Sequence, residues 1–271
     1  MTDHPIRLVI SDVDGTLVTS EKQLTAATVA AVRGLALGGI RFAVTSGRPP
    51  RGMAMLVDPL RLTTPIGGFN GGLLVEPSMA VLRERNLPAD LVAPVIGLLE
   101  SHGLDVWLYQ GVEWFVRDRA GAHVEHEVFT CQFEPTVVES FDGMNDDVVK
   151  LVGVGVGDVA TAISAATDAV RDAFGKSVSA STSQPYYLDV THPMANKGSV
   201  VSYLSETLDV PLAAIAVIGD SANDVLMFAR AGLSIAMGNA DNGVQRCARH
   251  VTRSNDDDGF AYAMERFVLT A

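Results

Sequence analysis

The hydrophobic positions of this 271-residue chain fall into two rhythms. In the first third, short unbroken apolar runs alternate with an Ala-rich segment. Ile6 to Ser11 reads as a β-branched strand. Thr25 to Leu37 places Val29, Val32, Leu35 and Ala36 on one helical face, and Gly38 and Gly39 end it. "IRFAVTS" reads as a second strand, and "PIGGFNGG" as a Gly-rich third that closes at Asn70. Strands that do not alternate apolar with polar are buried on both faces, so the pattern predicts a parallel sheet covered by helices on both sides. Ligands of such sheets bind beyond the carboxyl ends of the strands. Asp12, Asp14, Ser46 and Asn70 fall at that edge.

The middle of the chain changes rhythm. "DVWLYQGVEWFVRD" alternates about Gly111, the pattern of an antiparallel hairpin. "DVVKLVGVGVG" and "PYYLDVT" read as further strands, with a helix from Asp158 to Phe174 between them and Asp158 as its N-cap. After this block the β/α order resumes. "KGSVVSYLSETL" is a helix, "AIAVIGD" a strand, "NDVLMFARA" a helix and "LSIAM" a strand. "NGVQRCA" follows as a short helix, "HVT" as a strand and "GFAYAMERFV" as a terminal helix. The expected class is α/β: a Rossmann-like parallel-sheet core, residues 1–82 and 189–271, with an inserted α+β cap domain at 83–188.

Composition narrows what such a chain can do. A 48% hydrophobic share and a mean hydropathy of +0.23 support packed cores rather than disorder. The charge of −12, from 32 acidic and 20 basic residues, comes without a Lys/Arg cluster. That excludes a general nucleic-acid binder and disfavours anionic membrane surfaces. Cys131 and Cys247 are isolated and make no disulfide framework. Residues 1 to 5 include Asp3 and Pro5 and lack the pattern of a signal peptide. No apolar run approaches the length of about 20 residues that spans a membrane. A cytoplasmic location is expected.

The candidate chemistry lies at the strand ends. Asp12 and Asp14 would point to opposite sides of an ideal strand. A turn starting at Val13, made possible by Gly15, is needed to aim both at one point. A second acidic group closes the strand of "AVIGDSAND", at Asp220, with Asn223 and Asp224 opening the next helix. Either group alone reads as a turn dipeptide. Together, at matching edges of one sheet, they suit a hard oxygen-seeking cation such as Mg²⁺, which could also neutralise a phosphate. Ser46 puts a hydroxyl at the tip of the second strand. Lys197 starts a helix, where a cation opposes the dipole unless an anion lies beside it.

The ordered set "DVDGTL", "TSGR", "NKG" and "GDSANDVLMF" resembles the haloacid dehalogenase-like superfamily. The large insert, "FNGG" and the late "MGNA…VTRSNDDDGF" resemble its Cof-type branch with a C2B cap. The resemblance implies a phosphatase acting on a small phosphorylated metabolite, foremost a sugar phosphate and next a nucleotide or cofactor phosphate. It implies Asp12 as nucleophile and Asp14 as general acid and then base. Ser46 and Lys197 would hold the phosphoryl oxygens. Asp12, the Asp14 carbonyl and Asp220 would ligate Mg²⁺, with Asn223 and Asp224 completing the site. Gly47, Arg48, Asn70 and Gly71 would contact substrate. Ser46 stands where Thr is commoner in this branch, and either hydroxyl can donate. A phosphomutase of the same superfamily and a non-catalytic phospho-ligand sensor are the alternatives at this point.

Other residues read more plainly. "HVEHEV", with His123, His126 and Glu127, reads as a solvated face rather than a metal site. Trp107 and Trp114 read as hairpin core, as do Tyr186 and Tyr187, of which one could face substrate. His192 lies just before the lysine motif.

Overall fold

The computed structural model describes residues 5–157 and 159–269. In chain order the core opens with β1 (Leu8–Ser11), α1 (Ala26–Leu37), β2 (Arg41–Val44), α2 (Val57–Leu60), β3 (Ile66–Gly68), β4 (Leu73–Val75) and β5 (Val81–Glu84). The middle holds α3 (Ala89–Ser101), β6 (Asp105–Gln110), β7 (Glu113–Val116), α4 (Val124–Cys131) and β8 (Thr136–Val137). It continues with β9 (Val148–Val154), α5 (Ala160–Phe174), β10 (Ser179–Gln184) and β11 (Tyr187–Thr191). The last third is α6 (Lys197–Thr207), β12 (Ile215–Gly219), α7 (Val225–Phe228), β13 (Leu233–Ala236), α8 (Asn242–Cys247), β14 (His250–Val251) and α9 (Gly259–Ala263).

Among the described residues, one sheet is wholly parallel, in the order β14-β13-β12-β1-β2. Every residue of β1 and β12 is buried, because helices cover both faces. Leu8 and Ile10 pack with Val200, Val201 and Leu204 of α6 on one side. Val9 packs with Val32 and Leu35 of α1 and Phe260 of α9 on the other. Caps set where the helices begin: the Thr25 side chain accepts from Thr28 N–H, and Asn196 accepts from Ser199 N–H. The Asn196 cap holds Lys197 in the first turn of α6, directly behind the β1 edge.

A second sheet, β10-β11-β9-β6-β7-β8, is antiparallel except for the β7–β8 pair. Its pleat sends side chains to two different surroundings. Val106, Leu108, Leu151, Leu188 and Val190 pack with Val92, Val95, Leu99, Ile163 and Val170 of α3 and α5. Trp107, Tyr109, Val152, Val154 and Tyr187 point the other way and join the core that contains Phe69 and Met53. The Tyr109 and Phe69 rings meet edge-on at 5.1 Å. One face of this sheet therefore looks back toward the parallel one.

The structure corrects several details. "PIGGFNGG" forms β3, but among the described residues β3 meets the parallel sheet through the isolated Thr45–Gly67 bridge. Phe69 and Asn70 adopt positive φ (49° and 56°), which turns the chain back into β4, so β3-β4-β5 is a small antiparallel sheet of its own. The helix expected over "NDVLMFARA" is only the four residues of α7, preceded by a tight turn at Ala222–Asp224. α3 carries Pro94 in its interior, and β10 is largely exposed and Ser/Thr-rich. Neither offered a clean periodicity to read. The Asp158 N-cap lies outside the described residues, and α5 begins at Ala160.

Candidate active site

The chain leaves β1 after Ser11 and turns at once. Leu17 N–H and Val18 N–H both return to the Val13 carbonyl, at 2.9 and 3.1 Å. Gly15 sits at φ +72° with the Asp220 carboxylate against its α-carbon, so a side chain there would strike Asp220. This tight approach brings the ends of β1 and β12 together. Thr16 Oγ1 donates to Asp220 Oδ1 at 3.1 Å across the same gap.

Three carboxylates, Asp12, Asp220 and Asp224, offer oxygens within 4.8 Å of one another. Lys197 Nζ stands between two of them, 2.6 Å from Asp12 Oδ1 and 2.6 Å from Asp224 Oδ1. All of Lys197, Asp12 and Asp224 are buried. Burial pushes the Asp12 carboxyl well above its ordinary value, and the Asp224 and Asp220 charges push it further against the pull of Lys197. Asp220 is raised as well, by burial and then by Asp224. The two flanking carboxylates raise Lys197 against the opposing effect of burial. Three negative charges against this one positive charge leave an excess that a divalent cation would balance.

The three acids are not equivalent. Asp224 gives one oxygen to Lys197 and the other to the N–H groups of Asp220 and Ser221, each at 2.9 Å. It closes a capping box with Ser221, the S-x-x-D of "SAND". Its oxygens are thus committed to holding Lys197 and the turn. Asp12 and Asp220 are the carboxylates better placed to hold a metal.

Asp14 lies on a separate circuit. Arg48 grips it with two hydrogen bonds, Nε to Oδ2 and Nη2 to Oδ1, each 2.6 Å, and Lys22 Nζ reaches Oδ1 at 2.6 Å. Burial alone would raise the Asp14 carboxyl, but Arg48 and Lys22 together hold it down at about 2. The buried Arg48 fork also donates to the Gly52 carbonyl at 3.1 Å and to the Thr130 carbonyl at 2.7 Å. Thr130 belongs to the last turn of α4, so one guanidinium ties the β1 edge to the inserted segment.

A cleft of about 220 Å³ opens over this arrangement. Asp12, Asp14, Ser46, Gly47, Arg48, Lys197 and Asn223 line it from the parallel-sheet side. Asn223 Nδ2 donates to Asn70 Oδ1 at 3.1 Å, and Asn70 N–H donates to the Ser46 carbonyl at 2.8 Å. Asn70 therefore supports the cleft wall, and it is not among the cleft-lining residues. Gly71 is not either. A side chain on it would meet Val200 and the Asn196 carbonyl, so it packs against the start of α6.

From the antiparallel sheet and α4 come Trp107, Tyr109, His126, Glu127, Lys150 and Asp189. Three of these, Trp107, His126 and Glu127, read from the sequence as core or solvated face. His126 and Glu127, taken as a solvated face, line the cleft, whereas His123 stacks on Tyr186 with centroids 3.9 Å apart. Trp107 is both buried and cleft-lining. Tyr187 lines the cleft too, while Trp114 packs beside Trp107 outside it. His192 is not among the lining residues. Lys22, Lys150 and Asp189 were not anticipated. Lys150 and Asp189 did carry a signal, a charge in the middle of an otherwise apolar strand.

With the geometry in place, comparison with known proteins gives a consistent result. The family model for haloacid dehalogenase-like hydrolases matches residues 9–264. The chain belongs to that family, in its Cof-type branch, and is a phosphoric monoester hydrolase. The Bacillus subtilis 5-amino-6-(5-phospho-D-ribitylamino)uracil phosphatase YitU is 25% identical to it, over 96% of this chain and 97% of its own. A haloacid dehalogenase-like hydrolase from Bacteroides thetaiotaomicron superposes with a TM-score of 0.88 at 27% identity, covering 96% and 99% of the two chains. A subclass IIB sugar phosphatase shares the fold with a TM-score of 0.83 at 20% identity, covering 97% and 99%.

Proposed function

We propose that this chain is a Mg²⁺-dependent phosphatase that removes the phosphoryl group of a small metabolite, a sugar phosphate foremost, through an aspartyl-phosphate on Asp12. The observation that carries the reading is the trio of carboxylates at the β1 and β12 edges, whose negative charge exceeds that of the buried Lys197 bridging Asp12 and Asp224. Asp12 and Asp220 would hold the cation with the Asp14 carbonyl, and Asn223 and Asp224 would complete its surroundings. A bound Mg²⁺ would neutralise the repulsion between phosphate and these carboxylates.

Asp12 is the nucleophile: one of its oxygens attacks phosphorus and the leaving alcohol departs. Asp14 supplies the proton to that alcohol, then takes one from the water that cleaves the acyl phosphate. Held at about 2 by Arg48 and Lys22, Asp14 rests as a carboxylate. An incoming phosphoryl group competes for both cations, and as their hold weakens Asp14 takes up a proton from the monoanionic phosphate or from solvent and passes it to the leaving oxygen. Ser46, Gly47 and Lys197 bind the phosphoryl oxygens, Lys197 as the charge that meets the developing negative charge. Asn70 and Gly71 shape that wall from behind. The inserted unit, residues 83–188, acts as a cap that closes the cleft and excludes water. The YitU and sugar-phosphatase likenesses support a small polyhydroxylated substrate.

The test is phosphate release from a panel of phosphomonoesters with Mg²⁺ present. Turnover of at least one sugar phosphate is expected, with oxygen from labelled water appearing in the phosphate and no isomer formed. Absence of release across the panel, or full turnover by Asp12→Asn, would refute it.

A further inference from the structure

No residue of "MGNA…VTRSNDDDGF" takes part in the phosphoryl chemistry, yet this stretch reaches back across the chain to the site. Its contacts fall on the loop between β1 and α1, which carries both Gly15 and Lys22. Asn239 Nδ2 donates to the Gly15 carbonyl at 2.9 Å, one residue after Asp14. Asn255 Nδ2 donates to the Val18 carbonyl at 3.0 Å, and Asn255 N–H donates to Asn239 Oδ1 at 3.0 Å. Asp256 accepts both the N–H and the hydroxyl of Ser20, at 2.8 and 2.7 Å. Where the loop enters α1, Thr25 Oγ1 donates to Asp258 Oδ1 at 2.7 Å.

The loop needs these bonds because little packing holds it. From Thr19 to Gln23 no side chain is buried, and Ser20, Glu21 and Gln23 are exposed. A groove of about 360 Å³, lined by Glu21, Leu24 and Asp256 among others, runs beside it. Exposed segments with few buried contacts are the least stable parts of a fold. The bracing side is closely packed by contrast. Gly238 N–H donates to the Arg253 carbonyl at 2.9 Å, and a side chain on Gly238 or Gly259 would strike the Arg253 backbone. Asn255 itself is buried.

The braced loop ends in a tight turn aimed at the site. Lys22 N–H returns to the Thr19 carbonyl at 2.9 Å, Thr19 N–H to the Gln23 carbonyl at 3.0 Å, and Lys22 sits at φ +62°. Lys22 Nζ thereby meets Asp14 Oδ1 at 2.6 Å. Arg48 takes the same carboxylate through Nε to Oδ2 and Nη2 to Oδ1. Asp14 is thus held between Arg48, which follows β2, and Lys22, which only this loop presents. A general acid must lie within hydrogen-bond reach of the oxygen it protonates, so its orientation matters as much as its presence.

We propose that Asn239, Asn255 and Asp256 are positioning residues for Asp14. They fix the loop whose tip presents Lys22, and Lys22 with the pinned Gly15 peptide orients the Asp14 carboxylate toward the leaving oxygen. This role rests on the reading of Asp14 as proton donor to the leaving alcohol, and extends it to three residues that do not line the cleft.

Initial rates with Mg²⁺ test it, on three alkyl esters (ribitol 5-phosphate, glucose 6-phosphate and glycerol 3-phosphate) and on p-nitrophenyl phosphate. An alkoxide needs a proton in order to leave, whereas p-nitrophenolate departs without one. The readout is the ratio of kcat/KM for the fastest alkyl ester to that for p-nitrophenyl phosphate. In Lys22→Met, Asp256→Ala and Asn239→Ala the ratio should fall about tenfold, a part of the roughly 10²–10⁴-fold that a general acid supplies. Asp256 and Asn239 are exposed, so neither substitution opens the core. In the double variant Lys22→Met with Asp256→Ala the ratio should fall no further than in Lys22→Met, because both act through one contact. An unchanged ratio in any single variant, with rates intact or lowered equally on both kinds of ester, overturns the positioning role and leaves the phosphatase reading standing. So does a further tenfold fall in the double variant, or wild-type release from p-nitrophenyl phosphate alone. No release from any of the four by the wild-type protein overturns the phosphatase reading and the positioning role with it.

Discussion

At the scale of single residues, the site is organised by where charge is matched and where it is not. Lys197 balances Asp12 and Asp224 at 2.6 Å each in a fully buried setting. Lys197→Met leaves two buried carboxylates facing each other, and breaking such a pair costs about 3–5 kcal/mol. Denaturant unfolding should show a loss of that size, together with loss of phosphate release. Gly15 makes a different kind of contribution. Its φ of +72° and its contact with the Asp220 carboxylate admit no side chain. Gly15→Ala should cost about 1–3 kcal/mol through backbone strain and displace Asp220, weakening Mg²⁺ binding measured by titration calorimetry. Asp12→Asn should lower turnover by roughly 10⁴-fold or more, as loss of a nucleophile does elsewhere, while the variant keeps a cooperative unfolding transition.

At the scale of elements, the Arg48 fork joins two parts of the chain far apart in sequence. It holds Asp14 after β1 and donates to the Thr130 carbonyl in the last turn of α4. Lysine keeps the charge but offers no planar fork. In Arg48→Lys, amide hydrogen exchange across α4 should quicken relative to β6, whose amides stay in the sheet. Unchanged exchange in α4 would show that the guanidinium does not anchor that helix. The same scale explains which elements the pattern revealed. β1 and β12 are continuous apolar runs and were legible as buried strands. β10 is Ser/Thr-rich and exposed, and the interior Pro94 broke the signal of α3. Their formation depends on tertiary partners: β10 pairs with β11, and α3 packs its Val92, Val95 and Leu99 on the antiparallel sheet.

At the scale of the whole molecule, two sheets with different rhythms face each other across one cleft. Among the described residues no helix is long and apolar enough to cross a membrane. The chain has two tryptophans, and both lie in the antiparallel sheet, Trp107 on β6 and Trp114 on β7. Their fluorescence therefore reports on the cap side alone. Orthophosphate added with Mg²⁺ should shift that emission as the cleft closes, and emission that stays constant at saturation would oppose closure. Removal of divalent ions with EDTA should abolish turnover. Restoring Mg²⁺ should raise the thermal midpoint by an amount that grows with ion concentration, since a ligand bound only to the folded state stabilises it by mass action.

The linear order of residues by itself determined the parallel core, the inserted antiparallel block and the acidic strand ends. Each is a local pattern: an unbroken apolar run, an alternation, or a carboxylate beside a glycine. Asp12, Asp14, Ser46, Lys197 and Asp220 could be singled out because they stand where such runs stop. The tertiary structure decided how those residues divide their work. Only the approach of β1 to β12 shows that Asp224 is committed to Lys197 and a capping box. Only the fold shows Asp14 held by Arg48 and Lys22. Lys150 and Asp189 lie 39 positions apart (189 − 150), and nothing between them in sequence announces a pair. Strand register and the pleat bring them to one face, because side-chain direction alternates along a strand while partners across it come from distant parts of the chain.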